Sequence, residues 1–207
     1  MARPPVTQLR DEEVSDSLDR ELRELLSLCF TKPGDEVFRH RRYFKEPPTY
    51  RWIMRNAGGD LIAHAAAHEK VIIVGGREQG SGENGGGPGE SEPRAGATCE
   101  EIRVAGIAEV AVHPAARGMG HVKELLGVAH PALERMGFAF ALLFGRQKIY
   151  SSSGYRIAWN PVRYYDDGSE EWKIERFVQP EVRCFMYRPL ARTDWPEGIV
   201  DIRGRRF

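Results

Sequence analysis

Hydrophobic residues recur at three- and four-residue steps in two stretches of the chain, which predicts two amphipathic helices. The first stretch consists of Val14, Leu18, Leu22, Leu25, Leu26 and Cys29. The second starts at Gly118 and places Val122, Leu125, Leu126, Ala129, Leu133 and Met136 on one face. Pro131 lies inside the second pattern. Its ring displaces a carbonyl and removes one hydrogen bond, so we expect it to kink or shorten that helix.

Other segments show the patterns of strands and short helices. A further helix is expected after Pro33-Gly34, running to about Phe44, because Pro47-Pro48 would stop it. A short helix is expected from about Arg146 to Ser152, with Gly154 as its C-cap glycine. The predicted strands are Tyr50 to Asn56, Leu61 to Val74, Glu101 to Val112, Phe138 to Phe144, and segments around Tyr155 to Tyr165 and Val182 to Leu190.

The order of these elements predicts a mixed α/β fold. The first two strands flank the turn cluster Ala57-Gly58-Gly59-Asp60, which favours a hairpin. Phe138 to Phe144 is continuously apolar, as expected of a strand buried on both faces. It follows a strand and a helix, so a right-handed parallel crossover is the default connection.

Length and composition favour one domain spanning residues 1–207, because 207 residues suffice for one substantial core. Residues 75–97 are Gly, Ser, Glu, Pro and Arg with almost no apolar side chain. Such a composition buries too little surface to offset its ordering entropy, so we expect a flexible Gly-rich insertion between two strands. A loop is the simpler interpretation, and a substrate lid is the alternative.

Charge and cysteine content narrow the classes of partner. Lys plus Arg equals Asp plus Glu at 30 each, so no global field attracts nucleic acid or an anionic membrane. The three cysteines are widely separated and form no Cys-x-x-Cys pair, which favours reduced thiols. The N-terminus has no apolar signal region and no apolar stretch approaches membrane-spanning length. A cytoplasmic protein is expected, with its oligomeric state, a homodimer included, left open.

The segment from Glu109 to Val122 carries the most specific chemistry. An apolar strand runs into Pro114 and then into a turn containing Arg117, Gly118 and Gly120, which opens the second predicted helix. The first backbone N–H groups of a helix have no intrahelical partner and lie at its positive end, so they bind an anion that glycines allow to approach. This predicts a phosphate-binding loop.

The spacing excludes two common phosphate-binding motifs. Gly-x-x-x-x-Gly-Lys-Ser/Thr is absent, and a dinucleotide fingerprint would need a glycine at Lys123. Arg117-x-x-Gly120-x-Val122 instead resembles the acyl-CoA pyrophosphate loop of the GNAT superfamily of N-acetyltransferases, usually Gln or Arg-x-x-Gly-x-Gly or Ala. Valine at the last position departs from that form but keeps a backbone N–H. The resemblance implies acetyl-CoA as co-substrate, held by Val110, Ala111, Val112, Arg117, Gly118, Met119, Gly120, His121 and Val122.

Two further matches extend the resemblance over nearly the whole chain. Residues 109–118 align without gaps with the strand-to-loop pattern of the superfamily, and Ile149-Tyr150-Ser151-Ser152-Ser153-Gly154-Tyr155 is similar to its Leu-Tyr-x-x-x-Gly-Phe segment. The resemblance implies a central mixed, mostly antiparallel sheet flanked by helices, with one parallel β-α-β crossover. It also implies that the strand ending at Val112 splays from its parallel neighbour, so that pantetheine lies in the opening.

Acyl transfer to an amine requires a base and a proton donor, and two residues suit these roles. An ammonium ion of pKa about 8 to 10 must lose a proton before it attacks a thioester. Glu109 is the candidate base, directly or through water, because burial would raise its pKa. Tyr150 is the candidate donor to the departing thiolate, since a phenol stays protonated near neutrality. A backbone N–H near Val110 to Val112 would meet the charge on the thioester oxygen.

Three polar clusters have a structural interpretation as well as a functional one. His64 and His68 share a strand face without an evident third ligand, so no metal is expected. The run Arg39, Arg41 and Arg42 suits either an anionic group or a solvated face. The acidic residues Asp166, Asp167, Glu170 and Glu171 suit either a cationic acceptor or a polar turn.

The function that this sequence predicts is transfer of acetyl from acetyl-CoA to a primary amine of a small molecule. Shorter similarities suggest subfamilies. Residues 61–66 resemble a strand of aminoglycoside 2'-N-acetyltransferases, whereas residues 138–140 and 195–201 resemble the nodulation N-acyltransferase NodA. The alternatives are therefore a NodA-like transferase of a longer acyl group to an amino sugar, and a non-catalytic acyl-CoA-binding module.

Overall fold

The structure, a computed structural model, describes residues 4–75 and 99–207. The predicted insertion therefore lies almost wholly outside the described residues. The elements in chain order are β1 (Val6–Arg10), α1 (Asp16–Cys29), β2 (Tyr50–Arg55), β3 (Leu61–Gly75), β4 (Glu100–Val112), α2 (His121–Arg135), β5 (Phe140–Gly145), α3 (Gln147–Tyr150), β6 (Arg156–Ile157), β7 (Val162–Asp166), β8 (Glu171–Glu175), β9 (Val178–Gln179), β10 (Arg183–Pro189) and β11 (Ile199–Asp201).

The strands of the described residues form one mixed sheet, which confirms the predicted fold class. Its central path runs β6-β10-β5-β4-β3-β11-β7-β8, while β2 pairs with the first half of β3 and carries β1 on its outer edge. Strands β4 and β5 are parallel and joined through α2, as the crossover prediction required. A second parallel pair, β7 with β11, was not predicted. The remaining pairs are antiparallel.

Strand β4 contains a bulge that re-aims its last residues. His64 of β3 is opposite Ala111, whereas Ala66 is opposite Ala108, so three steps on β4 match two on β3. Glu109 takes up the extra residue with a φ of 51°. A positive φ is uncommon for a residue with a side chain, and bulges often re-aim side chains next to active sites. The backbone thus turns Glu109 away from the regular pleat.

The two long helices were predicted, but the effect of Pro131 was not. Ser15 caps α1 by accepting from Leu18 N at 3.3 Å. Helix α2 continues through Pro131 to Arg135, so the expected shortening is wrong, whereas the kink that was the other expected effect stays a prediction. The carbonyl that a proline ring crowds is four residues earlier, at Gly127, where the absence of a Cβ leaves the backbone free to adjust.

Five short elements differ from the predictions, and one agrees. The helix expected up to about Phe44 is only a 3-10 helix over Asp35–Arg39. Strand β1 and the late strands β8, β9 and β11 were missed, because they have five residues or fewer and mixed exposure. The short helix before Gly154 is confirmed: α3 continues as a 3-10 helix over Ser151–Ser153, and Gly154 caps it with a φ of 83°.

The core divides between the two faces of the sheet. Helix α2 packs on one face against β2 to β5. Helix α1 packs on the other face, around Phe38, Ile53 and Leu61. A third cluster joins β3, β4, β5, β7, β10 and β11 and contains no residue of α2. Among the helices of residues 4–75 and 99–207, none combines the length and apolarity that a bilayer crossing requires.

Candidate active site

The parallel strands β4 and β5 separate soon after they meet. They pair only from Val104 opposite Phe140 to Gly106 opposite Leu142. Beyond Gly106, β4 continues to Val112 in register with β3 alone. The β5-facing edge of residues 107–112 is therefore open. This is the splay that the family resemblance implied, and it contains the predicted backbone donors Val110, Ala111 and Val112.

The predicted phosphate loop leaves the start of α2 uncovered. Gly118 and Gly120 have φ values of 79° and 86°, in the left-handed region that favours glycine. An added Cβ at either position would meet nothing within 4 Å, and no side chain caps α2 at Gly120. Met119 is 65% exposed. The first-turn amides are thus open to an anion from outside, as a phosphate cradle requires.

The side chains around the loop hold its shape. Arg117 Nε donates to Val112 O at 3.2 Å, which ties the loop to the end of β4. His121 Nδ1 lies 3.0 Å from Glu124 Oε2, so the imidazole is engaged within its own helix. Val122 packs against the core beneath α2. Its departure from the usual small residue is therefore accommodated on the inner side of the helix.

Glu109 lies in a cleft of about 750 Å³ that runs from α1 to the C-terminal segment. Its side chain is 6% exposed. Phe44 N donates to Oε1 at 2.7 Å, and Arg51 Nη1 lies 3.5 Å from Oε2. Burial raises the pKa of Glu109 to about 7, because desolvation of the carboxylate outweighs the stabilisation by Arg51 and by the Phe44 amide. The carboxyl therefore exchanges a proton near neutral pH.

Arg51 connects Glu109 to a buried polar network. Its side chain is fully buried. Nε donates to Asp11 Oδ1 at 2.6 Å, and Nη2 donates to Arg42 O at 3.0 Å. Nη1 lies 2.9 Å from His64 Nε2. Because a guanidinium only donates, Nε2 accepts, and the His64 proton is on Nδ1, which donates to Glu109 O at 2.9 Å. The network thus holds both the carboxylate and the backbone carbonyl of the bulge.

Arg51 and Asp11 are not among the predicted site residues, and Arg42 was predicted only within a charge run. Arg42 instead forms ion pairs with Asp11 at 2.7 Å and Asp19 at 3.0 Å. One signal was available for Arg51: an arginine between the apolar residues of a strand is almost never buried unless paired. His64 makes hydrogen bonds, and burial lowers its pKa to about 3. The described ranges hold no group of three or more His, Cys, Asp or Glu that could bind a metal.

Tyr150 lines the same cleft as Glu109. It lies against Gly145, where an added Cβ would come within 2.5 Å of Tyr150 Cε2, so only glycine admits the ring there. Its ring centroid is 5.9 Å from that of Tyr155, in an edge-on arrangement. Burial raises the pKa of Tyr150 to about 12. The phenol is therefore protonated at neutral pH and can donate a hydrogen bond into the cleft.

The acidic stretch after β7 is neutralised in part by nearby cations. Asp166 Oδ2 lies 2.6 Å from Lys173 Nζ, and Asp167 lies 2.7 Å from Lys45 Nζ and 2.5 Å from Arg205 Nε. These pairs lower the pKa of both carboxyls. The interpretation of this stretch as a polar turn therefore fits the structure better than its interpretation as an anionic surface that binds a cationic acceptor.

Comparison with known proteins agrees with this geometry. A family model described as an acetyltransferase (GNAT) domain matches residues 98–158, which include the loop and Tyr150. A GNAT family N-acetyltransferase (YhbS) from Escherichia coli in complex with CoA has 19% identity, with 98% of this chain and 93% of that chain covered and a TM-score of 0.57. A GNAT family acetyltransferase from Brucella melitensis in complex with acetyl-CoA has 16% identity, 96% coverage of both chains and a TM-score of 0.53.

A third structure, ElaA from Escherichia coli, has 15% identity, with 90% of this chain and 99% of that chain covered and a TM-score of 0.53. A search of curated proteins finds no match. At these identities the structural likeness shows the fold, and the family-model match adds the sequence signature of the loop segment. Residues 98–158 of this chain therefore match the acetyltransferase (GNAT) domain, within a chain that has the fold of GNAT family structures.

Proposed function

We propose that this protein is an N-acetyltransferase that moves acetyl from acetyl-CoA to a primary amine of a small molecule. One observation supports this most: Glu109 and Tyr150 line one cleft beside the open edge of β4, with pKa values of about 7 and about 12. A base that is half ionised near neutral pH and a phenol that stays protonated are the two proton-handling groups that the reaction needs.

The amine attacks the thioester carbon directly, without an acyl-enzyme. Glu109 accepts the proton of the ammonium ion, directly or through a water molecule. The new C–N bond forms as the C–S bond breaks, and charge on the thioester oxygen is met by a backbone N–H of Val110 to Val112. Tyr150 donates its proton to the departing thiolate, and the second proton that the nitrogen loses as the amide forms returns to the Tyr150 oxygen through water. The loop from Arg117 to Val122 holds the diphosphate through its main-chain amides.

The test is CoA release from acetyl-CoA, measured with a thiol reagent across a panel of primary amines. We expect acceptor-dependent CoA release and an acetylated product visible by mass spectrometry. Tight acetyl-CoA binding with no acceptor-dependent release would contradict the proposal and favour an acyl-CoA-binding module. The same assay with longer acyl thioesters and glucosamine oligomers separates acetyl transfer from the NodA-like alternative, for which the longer donor would react faster.

A further inference from the structure

Two arginines stand at the end of the cleft formed by β10 and the C-terminal segment. Arg183 begins β10, with its guanidinium carbon 5.3 Å from the ring centroid of Phe144 and 6.0 Å from that of Phe177. Arg206 lies 4.3 Å from the ring centroid of Tyr164 and 5.5 Å from that of Phe177. Both arginines line the cleft that contains Glu109. Stacking on aromatic rings fixes a guanidinium while leaving its N–H donors free to bind an anion.

These two cations are poorly neutralised by the protein. Within residues 4–75 and 99–207, no carboxylate lies within 4.0 Å of Arg183. Arg206 lies 3.9 Å from Asp166, which Lys173 engages at 2.6 Å. Burial and the nearby Arg206 lower the pKa of Arg183. Glu175 is a nearby carboxylate that raises the pKa of Arg183, but its Oε2 accepts from Tyr164 Oη at 2.8 Å and no ion pair joins it to either arginine in the described part of the chain. The two guanidinium groups repel each other, and an anion bound between them would relieve that repulsion.

The position of the two arginines separates them from the diphosphate cradle. Phe144, Phe177 and Phe207 pack with the core cluster that contains no residue of α2. The cradle lies at the N-terminus of α2, whose apolar face packs on the other side of the sheet. An anion at Arg183 and Arg206 is therefore not the nucleotide tail that the loop binds. It belongs to the part of the cleft where an acceptor would lie.

We propose that the acceptor carries an anionic group, a carboxylate or a phosphate, in addition to its primary amine. Arg183 and Arg206 bind the anionic group while the amine lies at Glu109. This inference rests on the proposed function. Guanidinium groups bind carboxylate and phosphate through paired N–H donors, so both chemistries suit the site. The acidic residues Asp166 and Asp167, which would attract a polyamine instead, already pair with cations.

The test compares acceptors that differ only in the anionic group. 4-Aminobutyrate is paired with 4-aminobutyramide, and 2-aminoethyl phosphate with ethanolamine, with acetyl-CoA saturating. We expect kcat/KM to be higher for the charged member of at least one pair by about tenfold or more, the size of a charge-assisted contact. The pair with the larger ratio identifies carboxylate or phosphate. Equal values within both pairs would overturn the inference.

Variants assign the effect to the two arginines. Arg183→Gln and Arg206→Gln should each remove most of the preference for the charged acceptor and leave the neutral member unchanged. Arg163→Gln is the matched control, because Arg163 also stacks on an aromatic ring, with its guanidinium carbon 4.9 Å from the ring centroid of Trp172, but does not line the cleft. Equal loss with charged and neutral acceptors would give these arginines a structural role and contradict the inference.

A binding measurement keeps this inference separate from the proposed function. Saturation-transfer NMR detects weak binding of the same four compounds to the CoA-loaded protein. If none is acetylated but the charged compounds bind in an Arg183-dependent way, the anion site is supported and the proposed function is contradicted. If charged and neutral compounds bind equally, or none binds, the anion site falls whatever the activity.

Discussion

The bulge at Glu109 and the loop from Arg117 to Val122 are separated by a few residues of β4 but are built in opposite ways. Glu109 is held by side chains that come from distant parts of the chain, through Arg51 and His64. The loop is shaped by glycines and offers main-chain amides with no side-chain cap. The contrast suggests that proton transfer depends on a long-range side-chain network, whereas cofactor binding depends on local backbone geometry.

The largest effect should come from removing the proposed base. Glu109→Gln keeps an acceptor for the Phe44 amide but cannot take a proton, so kcat should fall by about 10²- to 10⁴-fold. Acetyl-CoA affinity should change less than twofold, as measured by calorimetry. Glu101→Gln is the control, since Glu101 lies at the other end of β4 and pairs with Arg203 at the surface. A kcat within threefold of the unmodified protein would exclude Glu109 as the base.

Changing the loop should weaken acetyl-CoA binding, whereas changing Glu109 should lower kcat and leave binding nearly unchanged. Gly120→Glu places a carboxylate at the cradle and forces a side chain into a φ of 86°, so the dissociation constant of acetyl-CoA should rise by about a hundredfold or more. Val128→Glu adds the same charge at an exposed position of the same helix, away from its N-terminus, and should leave binding unchanged. Undiminished binding by the Gly120 variant would contradict the loop assignment.

Tyr150 is the proposed proton donor and lines the same cleft. Tyr150→Phe keeps the ring against Gly145 and removes only the hydroxyl, so kcat should fall by about tenfold or more while acetyl-CoA affinity changes little. A donor that assists the thiolate should matter less for a thioester whose thiol is more acidic. An unchanged kcat would remove Tyr150 from the mechanism.

The smallest effect should be a shift of the pH profile. Arg51 favours the charged form of Glu109 and so lowers a pKa that burial raises. Arg51→Met should therefore raise the pKa of Glu109 further, moving the acidic limb of kcat/KM to higher pH by about one unit. Arg51→Lys keeps the charge and should shift it less. Circular dichroism checks that both variants fold, and a profile that does not move would give Arg51 a purely structural role.

The contrast also explains how much could be predicted from the sequence. The loop was predictable because its determinants, Pro114, Gly118 and Gly120, are contiguous and each has a local conformational meaning. The hairpin, the crossover and the two long helices were predictable for the same reason, since their patterns are long and periodic. Pro131 shows the limit of a local rule, because α2 continues past it to Arg135.

The partners of Glu109 could not be predicted in this way. Asp11 and Arg51 are 40 positions apart, and Arg51 and Glu109 are 58 positions apart. No local sequence pattern predicts that β1 exists, or that it ends beside Arg51 of β2. The two arginines at the end of the cleft, Arg183 and Arg206, are far apart in the sequence and come together over the ring of Phe177.

The central claim is that main-chain amides past Pro114 bind the diphosphate of an acyl-CoA. The most direct measurement is calorimetric titration of the purified protein with acetyl-CoA and with S-acetylpantetheine, which lacks the nucleotide and the diphosphate. We expect saturable binding of acetyl-CoA and binding of S-acetylpantetheine weaker by about a hundredfold or more. No heat and no thermal shift with acetyl-CoA, or equal affinity for the two thioesters, would contradict the account.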